Sequence, residues 1–387
     1  MDSPMSDLNL DSFQIQNFRA FRDLTIERLG RVNLIVGKNN VGKTALLEAL
    51  WVWAHDEYWD DLTDELVKPG VEEERSTSER LRERYEAIRH LFYGRPGPES
   101  WGSQRSDLDN PEESEIYLGP CDDRDYSKGV YLHVNAETGS RIQWFRMEAA
   151  RWHPGKEEFR PVGTLGIKSG SGPRGRYDLQ PIDALFVSSS SLNETEQSEL
   201  WSNAVRDGKK SSVLSLLKAI DCGVEDVNLI QQPFLRGHPH GNSIRFGERS
   251  VEDRRFVVTR EASPKPISLE SLGEGMVRAM SIGLGLVGGE GGMTLIDEIE
   301  NGIHYSAQPG IWRMIFRMAK KLDVQVFATT HSYDCVQAFQ KASQEHNRSE
   351  SMLVSLRRRE EDPDDIVAIR SDRDELSTVV EEDIEVR

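Results

Sequence analysis

The chain has 387 residues, 37% hydrophobic and 29% charged, a balance that supports a packed globular core and excludes a disordered or fibrous chain. Its formal net charge of -18 repels a polyanion over most of the surface, so nucleic acid would have to meet a local basic patch. The longest apolar stretch, 280–287, is diluted by glycine and falls well short of the roughly 18 residues of a membrane span.

The amino-terminal run MDSPMSDLNLDS is polar and acidic where a secretory signal is basic and then apolar, so a cytoplasmic protein is expected. From there, alternation of apolar and polar residues around Phe13 to Phe18 and again around Leu24 to Leu29 predicts two half-exposed strands. The continuous run Val32 to Val36 predicts a buried one. After a glycine-rich turn, apolar residues at 46, 47, 50, 53 and 54 predict a helix over Thr44 to Ala54.

Between about Asp56 and Gly175 the composition shifts to charge runs (Glu72 to Glu74, Arg80 to Arg84), Gly/Pro/Ser clusters and short strand-like pieces at Val130 to Val134 and Arg141 to Phe145. This reads as an insertion with its own small sheet and helices, without the heptads of a coiled coil. A short strand, Ala184 to Val187, and two helical stretches ending at Ile220 follow. Further strand candidates lie at Val227 to Gln231, Ser243 to Phe246 and Arg255 to Thr259. The last third alternates helix (Met276 to Leu286), buried strand (Met293 to Ile296), helix (Ile311 to Leu322), buried strand (Val324 to Thr329) and a helix from Tyr333, which implies a mainly parallel sheet covered by helices. The division expected is a core of residues 1–55 and 231–387 and an inserted lobe of 56–230.

Four segments carry chemistry. Gly37-Lys38-Asn39-Asn40-Val41-Gly42-Lys43-Thr44 matches G-x-x-x-x-G-K-[ST] between an apolar strand and a helix. Its glycines let successive N–H groups turn inward on phosphate oxygens, Lys43 would reach the β- and γ-phosphates, and the Thr44 hydroxyl would bind Mg²⁺. Met293 to Glu298 is an apolar strand ending in two carboxylates: Asp297 would hold the metal and Glu298 would polarise the attacking water. His331 follows the next buried strand, where an imidazole reaches the same crevice. Ser271-Leu272-Gly273-Glu274-Gly275 stands before a helix, where Ser271, Gly273 and the helix dipole suit an anion.

Taken together, these segments resemble the ABC-type ATPase superfamily, whose Walker A loop, Ser-x-Gly-Glu/Gln signature, Walker B strand, D-loop and switch histidine occur in this order. Asp297-Glu298-Ile299-Glu300-Asn301-Gly302-Ile303-His304 and the opening Asn17-Phe18-Arg19-Ala20-Phe21-Arg22 are similar to the branch of SMC-like proteins, RecF and overcoming-lysogenization-defect (OLD) ATPases, with Ile299 at a position where that branch more often has proline. The matched motifs cover roughly residues 12–54 and 265–340. The resemblance implies an α/β P-loop core with an antiparallel β-subdomain, ATP and Mg²⁺ as ligands, and a homodimer or higher oligomer. In it, Ser271 and Gly273 of one copy reach the nucleotide held by Lys43 of another. It also implies control of a separately encoded nuclease or toxin in anti-phage defence. A RecF-like DNA-repair ATPase and a nucleotide-locked scaffold are the alternatives.

The remaining features read as structural. Cys121, Cys222 and Cys335 are isolated and expected to be reduced thiols. Basic runs at Arg254, Arg255, Arg260 and Lys265 and at Arg357 to Arg359 are expected to be solvated faces. His238 and His240 belong to a loop rather than a metal site. Gln143 and Gln104 are open candidates for a glutamine that senses the metal. Asp372-Arg373-Asp374 is similar to the Asp-x-Asp of a Toprim nuclease, but too little chain follows His331 to build that domain, and no nuclease is expected here.

Overall fold

The computed structural model describes residues 8–54, 90–94, 115–121, 130–138, 143–153, 158–166, 182–232, 253–261, 263–346, 350–372 and 375. Ser243 to Phe246, Gln104, His238, His240, Arg373 and Asp374 lie outside them, as do the side chain of Gln143 and residues 141–142.

A six-stranded sheet organises the site. Its strands are β3 (Val32–Val36), β8 (Ala184–Val187), β12 (Met293–Ile296), β13 (Gln325–Thr329), β14 (Ser351–Arg358) and β15 (Ile366–Ser371), in the spatial order β15-β14-β3-β13-β12-β8. All neighbours run parallel except β15, which is antiparallel to β14. Every residue of β3, β12 and β13 is buried, as strands covered on both faces require, and their sequences are accordingly apolar runs rather than alternations.

Side chains of successive residues point to opposite faces, so each strand feeds two cores. On one face, Val32, Leu34, Val36, Val326, Ala328 and Leu353 meet the helices α2 (Glu194–Arg206), α3 (Lys210–Ile220), α4 (Glu274–Gly288), α5 (Gln308–Lys321) and α6 (Tyr333–Ser343). On the other, Ile35, Leu295, Phe327, Met352 and Val354 meet α1 (Lys43–Ala54) and an antiparallel sheet whose strands β1 (Phe13–Phe18) and β2 (Phe21–Ile26) form a hairpin. Phe18 pairs with Phe21 across a two-residue turn in which Arg19 sits at φ 50, so the second strand begins three residues earlier than its apolar alternation suggests.

Two expectations are corrected. The strands of the insertion do not make a separate sheet: β4 (Glu115–Gly119), β5 (Val130–Thr138), β6 (Gln143–His153) and β7 (Glu158–Gly166) extend the amino-terminal hairpin in the order β2-β1-β4-β5-β6-β7. Residues 184–187, assigned from sequence to the inserted lobe, instead form the edge of the parallel sheet, in register with β12 from Ala184 opposite Met293 to Val187 opposite Ile296. The physical reason is pairing: β12 has a free edge that a short apolar run can fill, and α2 and α3 then cover it. A third sheet, β9 (Val224–Gln232), β10 (Asp253–Arg260) and β11 (Ser263–Ser268), is antiparallel in the order β11-β10-β9.

Candidate active site

The carboxyl ends of β3, β13 and β12 lie side by side and carry the loop 37–42, the segment 330–332 and the segment 297–302. In the loop, Gly37 has φ 151, and a Cβ there would stand 2.6 Å from the Leu356 carbonyl oxygen. Gly42 has φ 90, and its Cβ would stand 2.7 Å from the Phe21 ring. Both backbone conformation and space therefore demand glycine. Asn40 is left-handed at φ 62, and its carbonyl accepts from Arg358 of β14 at 3.0 Å, so a neighbouring strand braces the turn. Lys38, Asn39 and Asn40 are exposed. The first turn of α1 closes with the Leu46 N–H donating to the Gly42 carbonyl at 2.9 Å.

Lys43 Nζ donates to the carbonyls of Gly37, at 2.8 Å, and Lys38, at 3.0 Å. Partial burial lowers its pKa, while the nearby carboxylates of Glu298, Asp297 and Glu300 pull the other way. The Thr44 hydroxyl lies 3.2 Å and 3.3 Å from the two oxygens of Asp297. Asp297 is buried, and its Oδ1 also accepts from the Thr329 hydroxyl at 2.6 Å. That same hydroxyl accepts from the Glu298 N–H at 2.8 Å.

Glu298 sits at φ 48, a left-handed conformation that costs a non-glycine residue about 1–3 kcal/mol and persists where its surroundings over-determine it. Its Oε2 accepts from Asn301 Nδ2 at 2.7 Å. The next N–H, of Ile299, donates to the Thr329 carbonyl at 3.0 Å, and the Ile299 side chain enters the helical core. The replacement of proline thus has a reason: proline has no N–H to offer this bond. Glu300, with its side chain only 9% exposed, accepts the His331 N–H at 3.1 Å and stands 3.2 Å from His331 Nδ1. His331 Nδ1 stands 4.0 Å from Glu298 Oε1.

Lys43, Thr44, Asp297, Glu298 and His331 therefore converge. Ser271 and Gly273 make none of this cluster's hydrogen bonds: both are exposed, in the 3-10 turn Glu270–Leu272 and at the start of α4. Gly273 is the N-cap of α4 at φ 99 and offers no side-chain cap; the Met276 N–H donates to its carbonyl at 3.1 Å, and the N–H groups of Glu274 and Gly275 are left open. The start of α4 packs on the 297–302 segment, where a Cβ on Gly275 would meet the Gly302 carbonyl at 2.8 Å.

Four participants escaped the sequence reading as site residues: Thr329, Glu300, Asn301 and Arg278. Glu300 and Asn301 lay inside the motif that follows Glu298 without a role of their own, and Arg278 stood out as the one cation in a mostly apolar helix. The basic runs have structural uses: Arg260 pairs with Asp221 at 2.8 Å and Arg359 with Asp365 at 3.0 Å. Among the described residues no cluster of three or more His, Cys, Asp or Glu could hold a metal, and no helix is long and apolar enough to cross a membrane.

A glycine-walled loop between a buried parallel strand and a helix, with carboxylates and a histidine at the ends of the adjoining strands, defines a P-loop core. Over both of its motif-bearing segments the chain is similar to AAA-type ATPase domains. Residues 9–149 match the model of the family described as "AAA ATPase domain", and residues 263–336 match that described as "AAA domain, putative AbiEii toxin, Type IV TA system". Over 41 residues the chain is 49% identical to an uncharacterized protein of Methanocaldococcus jannaschii, covering 11% of this chain and 19% of that one. Over 45 residues it is 44% identical to the DNA replication and repair protein RecF of Clostridioides difficile, covering 12% of each. The matches thus span 19% and 12% of the length of these curated relatives. Among solved structures it is similar to the SMC head domain from Thermotoga maritima, with TM-score 0.42 and 11% identity over 94% of this chain and 99% of that one. The Smc head domain from Pyrococcus furiosus, bound to the C-terminal domain of ScpA, gives TM-score 0.45 and 10% identity over 96% and 98%.

Proposed function

We propose that the protein binds ATP with Mg²⁺ in the 37–44 loop, hydrolyses it at a site completed by the α4 tip of a second copy, and uses nucleotide state to control a partner effector in anti-phage defence. The observation that carries the binding half is the contact between the Thr44 hydroxyl and the Asp297 carboxylate beneath a glycine-walled loop. Those two oxygen donors fit a hard cation that takes its other ligands from water and phosphate, and the metal when bound would neutralise phosphate charge. The backbone of 37–44 and Lys43 hold the phosphates, with Asn39 and Asn40 on the rim.

Glu298 polarises the attacking water through Oε1, since Asn301 occupies Oε2. Glu300, 3.2 Å from Nδ1 of His331, orients the ring so that Nε2 is turned toward the γ-phosphate. The exposed, uncapped start of α4 supports the shared site: Ser271, Gly273 and open N–H groups suit an anion brought by another molecule. The toxin–antitoxin wording of the family matched at 263–336 supports the effector reading. The match to RecF supports a second reading, an ATPase of DNA repair.

Rate per subunit against protein concentration, with and without duplex DNA, separates these. We expect the rate to rise with concentration and to ignore DNA. A flat rate in a protein shown to be monomeric overturns the shared site, and ATP-strengthened, salt-sensitive DNA binding favours repair.

A further inference from the structure

Helix α4 buries Met276, Ala279, Met280, Ile282, Leu284 and Leu286 in the helical core, and among them stands one cation, Arg278, only 2% exposed. A charge taken this far from water persists only when hydrogen bonds replace its hydration. Its guanidinium donates to three backbone carbonyls: Ser188, just after β8, at 2.5 Å, and Asp297 and Glu298, just after β12, at 2.5 Å and 3.2 Å. Burial brings its pKa down to about 10, against the pull of the Asp297, Glu300 and Glu298 carboxylates, so it remains charged at neutral pH.

All of these bonds go to backbone, and two of them grip the turn in which Glu298 adopts φ 48. The same turn is held from its N–H side by Thr329, whose hydroxyl accepts from the Glu298 N–H and whose carbonyl accepts from the Ile299 N–H. We infer that Arg278 is a positioning residue for Glu298, clamping the strained turn at 297–298 against the helix whose tip carries Ser271 and Gly273. The inference rests on the reading of Glu298 as the residue that polarises water. A lysine cannot replace it, because one ammonium lacks the planar fork that spans carbonyls on two separate loops. Without the clamp the turn relaxes, and a displacement of about 1 Å at a reacting group costs on the order of 10²-fold in rate.

The test compares Arg278→Lys, Glu298→Gln and the double variant in the full chain. For Arg278→Lys we expect kcat to fall about 10- to 100-fold while KM for ATP with Mg²⁺ and the Kd of a non-hydrolysable ATP analogue change less than about threefold. Amide hydrogen exchange across 297–301 should accelerate while that of α1 does not, and the double variant should be no slower than Glu298→Gln alone. Should Arg278→Lys fail to fold, Arg278→Gln, neutral and of similar reach, serves with the same expectations. Wild-type kcat, a matching loss of analogue affinity, unchanged exchange across 297–301 or multiplicative losses in the double variant would each overturn the role of Arg278 alone. Unchanged turnover in Glu298→Gln would overturn the reading beneath it as well.

Discussion

The two faces of the parallel sheet are built from different material and hold different halves of the site. On one face α1, which begins at Lys43, packs with the β1–β2 hairpin through Phe13, Phe18, Phe21, Leu47 and Trp53. On the other, α4, whose tip is Ser271 and Gly273, packs among helices through Met276, Met280, Trp312 and Phe339. The first face braces a loop suited to phosphates. The second braces an exposed helix end that makes none of the cluster's hydrogen bonds. The difference teaches that binding and completion can be perturbed separately, since the halves meet at the carboxyl edge of the sheet, where Asp297 and Glu298 are gripped by Thr329 from the strand side and by Arg278 from the helix side.

The sharpest division is expected from Glu298→Gln. It should lower kcat by about 10² to 10⁴ while nucleotide affinity, measured by titration of a fluorescent ATP analogue, stays within a few-fold. Lys43→Ala tests the hairpin face: loss of a charge-assisted contact worth about 1.5–3 kcal/mol should weaken the same titration roughly 10- to 100-fold. Ser271→Arg, on the helical face, should leave that titration unchanged and abolish the rise of rate with protein concentration. Loss of binding in Ser271→Arg would break the comparison outright.

The smallest effect concerns thiols. Cys335 is 1% exposed within the helical core, and burial pushes its pKa up to about 12, so at pH 8 only about one thiol in ten thousand is the reactive thiolate. Cys222 is exposed. Mass spectrometry after brief alkylation should find Cys222 modified and Cys335 modified only in denaturant.

Much of the site was legible because its chemistry is local. A glycine loop with Lys43 and Thr44, and an apolar strand ending in Asp297 and Glu298, are contiguous and need no knowledge of topology. Glu300, Thr329 and Arg278 were not legible in the same way, because each matters through a partner 31 or 32 residues away in the chain for the first two, and 19 or 20 for Arg278. β14 and β15 went unseen because Ser351 to Ser371 mixes apolar residues with arginines and acids. Pairing with β3 makes β14 a buried strand, which its own composition does not announce.

By itself the sequence determined the buried strands β3, β12 and β13, the helix that follows the glycine loop and the acidic and histidine strand ends, since period, glycine placement and charge are read residue by residue. Tertiary structure alone decided that β13 lies between β3 and β12, that 184–187 joins the same sheet, and that an arginine inside an apolar helix reaches the carbonyls of two strand ends. Those outcomes depend on which free edge and which uncovered carbonyl each segment meets, and that is settled only when the chain packs.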